Sequence, residues 1–140
     1  MKNVLDKVVY KIEKVVEVDC NQTLKIMTAR WYNLGPHEYM RPCINAEIDC
    51  TRKKLANALI VDTSQATGVF SQEDQQWLAE YAIPELAKAG LKAVITVLPK
   101  KAGTLLATMR WKRNGSQSGT DYLEADSLQT ALDLAKKYTK

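Results

Sequence analysis

The chain is 140 residues long, with 46% hydrophobic residues, 26% charged residues and a formal net charge of +4. That balance excludes collagen-like, mucin-like and fully disordered chains, and a domain of this size buries about 68–70% of its unfolded surface without a disulfide or metal staple. No run approaches the roughly 18–20 apolar residues that span a bilayer, and Met1-Lys2-Asn3-Val4-Leu5-Asp6-Lys7 lacks the apolar stretch of a secretory signal. The expectation is one domain over residues 1–140, cytoplasmic and without membrane insertion.

Residues 4–18 read as a strand, rich in β-branched side chains, with Val16 and Val18 alternating with Glu17 and Asp19. Asp19-Cys20-Asn21-Gln22 predicts a turn. Alternation resumes over 23–32, where Leu24 and Ile26 oppose Lys25 and Met27, so the two runs predict a β-hairpin. Asn33-Leu34-Gly35-Pro36 breaks the strand, and a helix over 36–54 follows. Pro36 suits its first position, and Met40, Ile44, Ile48 and Leu55 form its buried face. Pro42 predicts a kink or a later start, because it removes one hydrogen bond of the helix ladder.

Ala58-Leu59-Ile60-Val61 is a short apolar run between helix and loop, the pattern of a strand buried on both faces, central and parallel. After the loop 63–70, Ser71 is the N-cap of a second helix, and Glu73 and Asp74 complement its positive end. Trp77, Leu78, Tyr81, Ala82 and Leu86 give it an apolar face, Pro84 kinks or splits it, and Gly90 stops it. Residues 91–98 predict another buried strand ended by Pro99. A shorter helix over 102–113 points Leu105, Leu106 and Met109 inward, and 114–119 is a flexible polar loop. A last strand covers 120–124, and Ser127 caps a final helix with Leu128, Ala131, Leu132 and Ala135 inward. The fold class is therefore α/β: a mostly parallel central sheet of about five strands with an N-terminal β-hairpin and four helices.

Cys20, Cys43 and Cys50 are odd in number and none is spaced as CxxC, which points to free thiols in a reducing compartment. On one helix Cys43 and Cys50 share a face but their Cα atoms stand about 10.5 Å apart, too far for a disulfide. They read as small buried apolar residues. The single histidine, His37, reads as a surface residue at a helix start rather than a catalytic base or zinc ligand. Lys100-Lys101 and Arg110-Trp111-Lys112-Arg113 are the local basic concentrations, too weak a basic face for nucleic acid. Lys100, Lys101 and the N–H groups of Ala102 and Gly103 would attract a buffer anion at a helix start, and no P-loop or GxGxxG is present. No metal or cofactor is expected.

The order of elements resembles the STAS-like group, named for sulphate transporters and anti-sigma-factor antagonists, and in particular its small stand-alone bacterial members. The resemblance rests on Leu59-Ile60-Val61-Asp62-Thr63, Ser71-Gln72-Glu73-Asp74-Gln75-Gln76-Trp77-Leu78, Ile83-Pro84, Ala89-Gly90-Leu91-Lys92-Ala93-Val94 and Asp126-Ser127-Leu128-Gln129-Thr130-Ala131-Leu132, with Arg30-Trp31 before the first helix. It implies a non-enzymatic module whose better-known members are switched by phosphorylation of a Ser or Thr at the start of the second helix. The corresponding loop carries Asp62, Thr63, Ser64, Thr67 and Ser71, with Gly68-Val69-Phe70-Ser71 where the family's switch motif has Asp-Ser-Ser-Gly. A phosphate on Ser71 would gain from the helix N-terminus and be opposed by Glu73 and Asp74.

Asp62 ends a central strand, where open α/β sheets place ligand crevices; its alternative role is to hydrogen-bond its own loop. Phe70, Trp77 and Tyr81, if exposed together, would form a contact patch, and Trp111 on its basic helix is a further interface anchor. The expected function is a regulatory or scaffolding domain that binds a protein partner, with homodimerisation open, through the loop 62–71 and the second helix. The alternative is a small-ligand or lipid carrier with a cavity of several hundred Å3 between helices and sheet. An enzyme is not expected, since no set of His, Cys and carboxylates has assignable roles.

Overall fold

The computed structural model describes residues 6–99 and 119–139. The helix expected over 102–113, Lys100, Lys101, Trp111 and all but the last residue of the loop 114–119 lie outside the described residues. The chain forms β1 (Asp6–Ile12), β2 (Val16–Asn21), β3 (Ile26–Trp31), α1 (His37–Arg52), β4 (Ala58–Asp62), α2 (Gln72–Trp77), a π-helical turn (Leu78–Ala82), α3 (Ile83–Ala89), β5 (Ala93–Val97), β6 (Asp121–Ala125) and α4 (Leu128–Lys136). The strands make one six-stranded sheet in sequential order from β1 to β6. β1–β2 and β2–β3 are antiparallel, whereas β3, β4, β5 and β6 run parallel. Among the described residues no helix is long and apolar enough to cross a membrane.

The sheet has six strands rather than about five because the run over residues 4–18 is two strands. The chain reverses at Glu13-Lys14-Val15, where Lys14 takes a left-handed φ of 65° and the Val15 N–H bonds to the Ile12 carbonyl at 3.0 Å. No glycine, proline or asparagine marks this reversal. The second turn lies further along than expected, over 22–25, closed by Lys25 N–H to the Asn21 carbonyl at 2.8 Å and Leu24 N–H to Asn21 Oδ1 at 2.9 Å. Asp19 and Cys20 stay in the strand, where Asp19 is buried and ion-paired with Arg30 at 2.8 Å.

β4 and β5 pair in parallel from Ala58↔Ala93 to Asp62↔Val97, at the centre of the sheet. Leu59, Val61 and Val94 face α1 and the α2–α3 segment together with Met27, Ala29, Trp31, Met40, Ile44, Leu78 and Leu86. Ala58, Ile60, Ala93, Ile95 and Val97 face the other way, onto Ala131 and Ala135 of α4. The apolar runs read as doubly buried strands are doubly buried, and each fully covered Ile, Leu or Val contributes about 1.5–3 kcal/mol relative to exposure.

α1 runs through Pro42, whose ring sits on the exposed side of the helix, and Pro36 is its N-cap rather than its first residue. The helix stops before Leu55, which is 39% exposed and not part of the buried face. Lys54, at φ 63°, supplies the left-handed exit. The second helix is continuous but not uniform. Ile83 N–H reaches the Leu78 carbonyl five residues back, so a π turn precedes Pro84, which opens α3. A proline removes one donor and crowds the preceding turn, and the wider π turn accommodates it without a break. Gly90, at φ 102°, ends α3 as expected.

Ser71 adopts an extended conformation and its Oγ accepts the Asp74 N–H at 3.1 Å. Ser71→Ala leaves that N–H without its acceptor and should cost about 1 kcal/mol, lowering Tm by about 3–5 °C in a thermal melt. An unchanged melting curve would remove the cap from the account of α2.

Candidate functional site

The loop between β4 and α2 is held by its own polar side chains. Asp62 Oδ1 accepts the Ser64 N–H at 3.0 Å and the Ser64 hydroxyl at 2.7 Å, the local arrangement that competes with a ligand role. The sequential strand order lacks the switch point at which open sheets usually place a ligand crevice, yet a cavity of about 100 Å3 does open beside Asp62, lined also by Arg30, Trp31, Tyr32 and Gln65. Switch-point crevices open where successive connections leave a strand pair in opposite directions. Here β3, β4, β5 and β6 advance in one direction, and both α1 and α2–α3 lie on the same face.

Thr63 is fully buried, and its hydroxyl donates to the Val97 carbonyl at 2.6 Å, tying the loop to the neighbouring strand end. Thr67 is exposed; its N–H bonds to the Tyr32 carbonyl at 3.2 Å, and its hydroxyl stands 3.4 Å from the same oxygen. Gly68 is left-handed at φ 77°, and a Cβ there would stand 3.1 Å from the Gly35 nitrogen, so the loop lies close against the entry to α1. Phe70 is 3% exposed and packs edge-on against Trp31, ring centroids 5.2 Å apart. It belongs to the core, and the expected three-ring patch loses this member.

The other two rings do meet. Trp77 and Tyr81 stand one helical step apart across the start of the π turn, centroids 5.2 Å apart, with Trp77 half-buried and Tyr81 40% exposed. The Arg41 guanidinium of α1 lies 5.4 Å from the Trp77 ring centroid, within cation–π range. Val69, 45% exposed, is the apolar tip of the adjoining loop. Beneath this surface lies Asp74, fully buried although the sequence reads it only as a charge complementing the helix dipole. Arg41 Nε donates to its Oδ1 at 3.1 Å, and His37 Nδ1 lies 3.3 Å from its Oδ2. One carboxylate thus joins the first turn of α2 to two residues of α1, and holds Arg41 where it covers Trp77. His37 is mostly exposed, as expected for a helix start, and its one close polar neighbour among the described residues is this carboxylate.

A second site was not anticipated. Glu47 of α1 is 1% exposed and lines a cavity of about 50 Å3 between helices and sheet, walled by Trp31, Ile44, Leu59, Leu78, Val94 and Tyr122 among others. Its closest polar side-chain partner among the described residues is the Cys43 thiol, 3.8 Å from Oε2. Burial pushes its carboxyl up to about 8, so the acid is largely neutral at pH 7. Burial, and secondarily Glu47, raise the Tyr122 hydroxyl above its ordinary value. The available signal in the sequence is phase: Glu47 falls on the stripe of Met40, Ile44 and Ile48. A cavity of this volume holds a water or a few heavy atoms, far below what a lipid needs.

A carboxyl near 8 in the folded state and 4.5 in the exposed state binds its proton more tightly when folded. Its contribution to stability is complete below pH 4.5 and is lost as pH rises towards 8, where it levels off. Glu47→Gln should remove that slope. Plotted against pH, wild-type Tm minus variant Tm should fall across this window and flatten above it. A difference that stays level from pH 5 to pH 9 would show Glu47 to titrate normally.

Comparison with protein-family models, with curated proteins and with solved structures finds no significant match to this chain.

Proposed function

We propose that the chain is a STAS-like, non-enzymatic regulatory or scaffolding domain that binds another polypeptide. The contact surface is the loop 63–71 with the outer side of α2 and the π turn. The observation that carries this reading is the Trp77–Tyr81 pair under the Arg41 guanidinium, set at the surface and fastened from below by buried Asp74. Aromatic and arginine side chains held rigid before binding are the residues that dominate interface energetics, because little side-chain freedom is lost when they dock. Val69 and Tyr32, 45% and 39% exposed, extend the apolar area towards the loop. The partner that fits is a segment with an apolar side chain for the rings and a carboxylate for Arg41.

Of the hydroxyls that the STAS-like resemblance offers to a kinase, Thr63 is enclosed, which leaves Ser64, Thr67 and Ser71. A phosphate on Ser71 would displace the cap and stand near the buried carboxylate of Asp74, so partner binding is independent of phosphorylation. The lipid-carrier alternative has less support, since the Glu47 cavity is too small.

The test is affinity capture from lysate of the source cells, comparing wild type with a Trp77→Ala/Tyr81→Ala variant and with Asp133→Ala on the opposite face. A specific protein should be retained by wild type and Asp133→Ala and reduced at least tenfold by the double variant. Capture indifferent to the double variant, at unchanged Tm, would place the contact elsewhere. Sedimentation of the same variants distinguishes self-association: a dimer abolished by Trp77→Ala/Tyr81→Ala makes the partner a second copy.

A further inference from the structure

Cysteine spacing leaves the three thiols as separate apolar residues. The sheet brings two of them together. Cys20 is on β2, near the end of the strand, and Cys50 is on the last turn of α1, which packs over that strand. Cys20 Sγ lies 3.3 Å from the Leu55 carbonyl, to which it can donate, and the Cys20 thiol is near enough to Cys50 to favour ionisation there. Both line a groove of about 220 Å3 between β1 and α1, flanked by Lys7, Asp49, Lys53 and Leu55. The two residues are largely covered by protein, but the groove gives a small reagent a route to their sulfurs.

The surroundings of the two α1 cysteines differ in kind. Hydrogen bonding from Cys20 lowers the Cys50 thiol from its ordinary value; Lys53 and Lys7 act in the same direction, while burial and Asp49 oppose them. Cys43 is pushed well up, chiefly by burial and then by Glu47. One helix therefore carries a thiol disposed to ionise and a thiol disposed to stay protonated, and only the first has a second thiol beside it.

We propose that Cys20 and Cys50 are a peroxide-sensitive thiol pair that closes into an intramolecular disulfide, with Cys50 as the attacking sulfur. The co-reactant is a hydroperoxide small enough to enter the groove. Cys50, as thiolate, attacks the terminal peroxide oxygen. The S–O bond forms as the O–O bond breaks, and the departing oxygen takes up a proton and leaves as water or an alcohol. Cys20 then attacks the Cys50 sulfenic sulfur; the S–S bond forms, the S–O bond breaks, and water leaves with the proton of the Cys20 thiol. Two thiols lose two electrons and the hydroperoxide gains them. The product would staple β2 to the end of α1 and withdraw the Cys20 donor from the Leu55 carbonyl.

The experiment uses the full chain and hydrogen peroxide. After a stoichiometric dose, denaturation and alkylation, peptide mapping should find a Cys20–Cys50 link, with Cys43 alkylated and the link lost on treatment with dithiothreitol. Cys43→Ser should form the link at the wild-type rate. Cys50→Ser should form none and should leave Cys20 oxidised at least tenfold more slowly. In untreated wild type, the pH midpoint of Cys50 alkylation should fall below the ordinary thiol value of 9.0. Oxidation of Cys43 before the other two, or conversion of Cys20 and Cys50 to separate sulfinic acids with no link between them, would overturn the proposal without any reliance on a variant's folding.

Discussion

β4 and β5 lie side by side with apolar side chains on both faces, so neither face of the sheet centre can be left to water. One face takes α1 and the α2–α3 segment, the other takes α4. The remaining features follow from that demand. Parallel neighbours cannot be joined by a tight turn, so each step from strand to strand crosses over a face, and a helix is the economical crossover. Because β3 to β6 advance in one direction, the two described crossover helices fall on one face and press against each other. The junction between them is where the chemistry of the surface is set.

That junction is organised by one carboxylate. Asp74 sits at the start of α2, where N–H groups point outward and negative charge is favoured, and it has no exposure to water. A buried carboxylate of this kind needs partners, and it takes them from α1: Arg41 and His37. The consequence reaches the surface. Arg41, held at its Nε by Asp74, lies over Trp77, and Trp77 in turn contacts Tyr81. The π turn, required upstream of Pro84, lies between the level of Trp77 and that of α3, so a local accommodation of one proline also shapes the aromatic surface.

The face of the sheet under α1 holds two arrangements that an apolar core does not require. Glu47 occupies a core position of α1 and stays largely neutral, because burial disfavours its charge and the described residues around it offer a thiol and a phenol-lined cavity rather than a cation. Cys20 and Cys50 place two thiols on one groove edged by lysines. Both involve α1, and they lie towards opposite ends of what it covers: Glu47 faces the central strands, Cys50 the outer, antiparallel ones.

What could be read from the chain alone is what acts within a turn or two. The runs at 58–61 and 93–97 are doubly buried strands because no charged residue interrupts them and Thr96 is the one polar residue they contain, and Ser71, Ser127 and Gly90 cap or stop helices through bonds to residues three or four positions away. The reversal at Lys14 was not legible, since a lysine in a left-handed conformation leaves no mark of its own; the pairing of β1 with β2 places it there. Likewise Phe70 looks like surface within a polar loop until Trp31 is beside it, Asp74 looks like a solvated charge until Arg41 arrives, and Cys20 and Cys50 are unrelated until β2 runs under α1. Periodicity and capping are short-range properties of a sequence. Burial, ionisation and the meeting of reactive groups depend on which distant segment closes over a residue, and that was decided only by the packing of helices on the sheet.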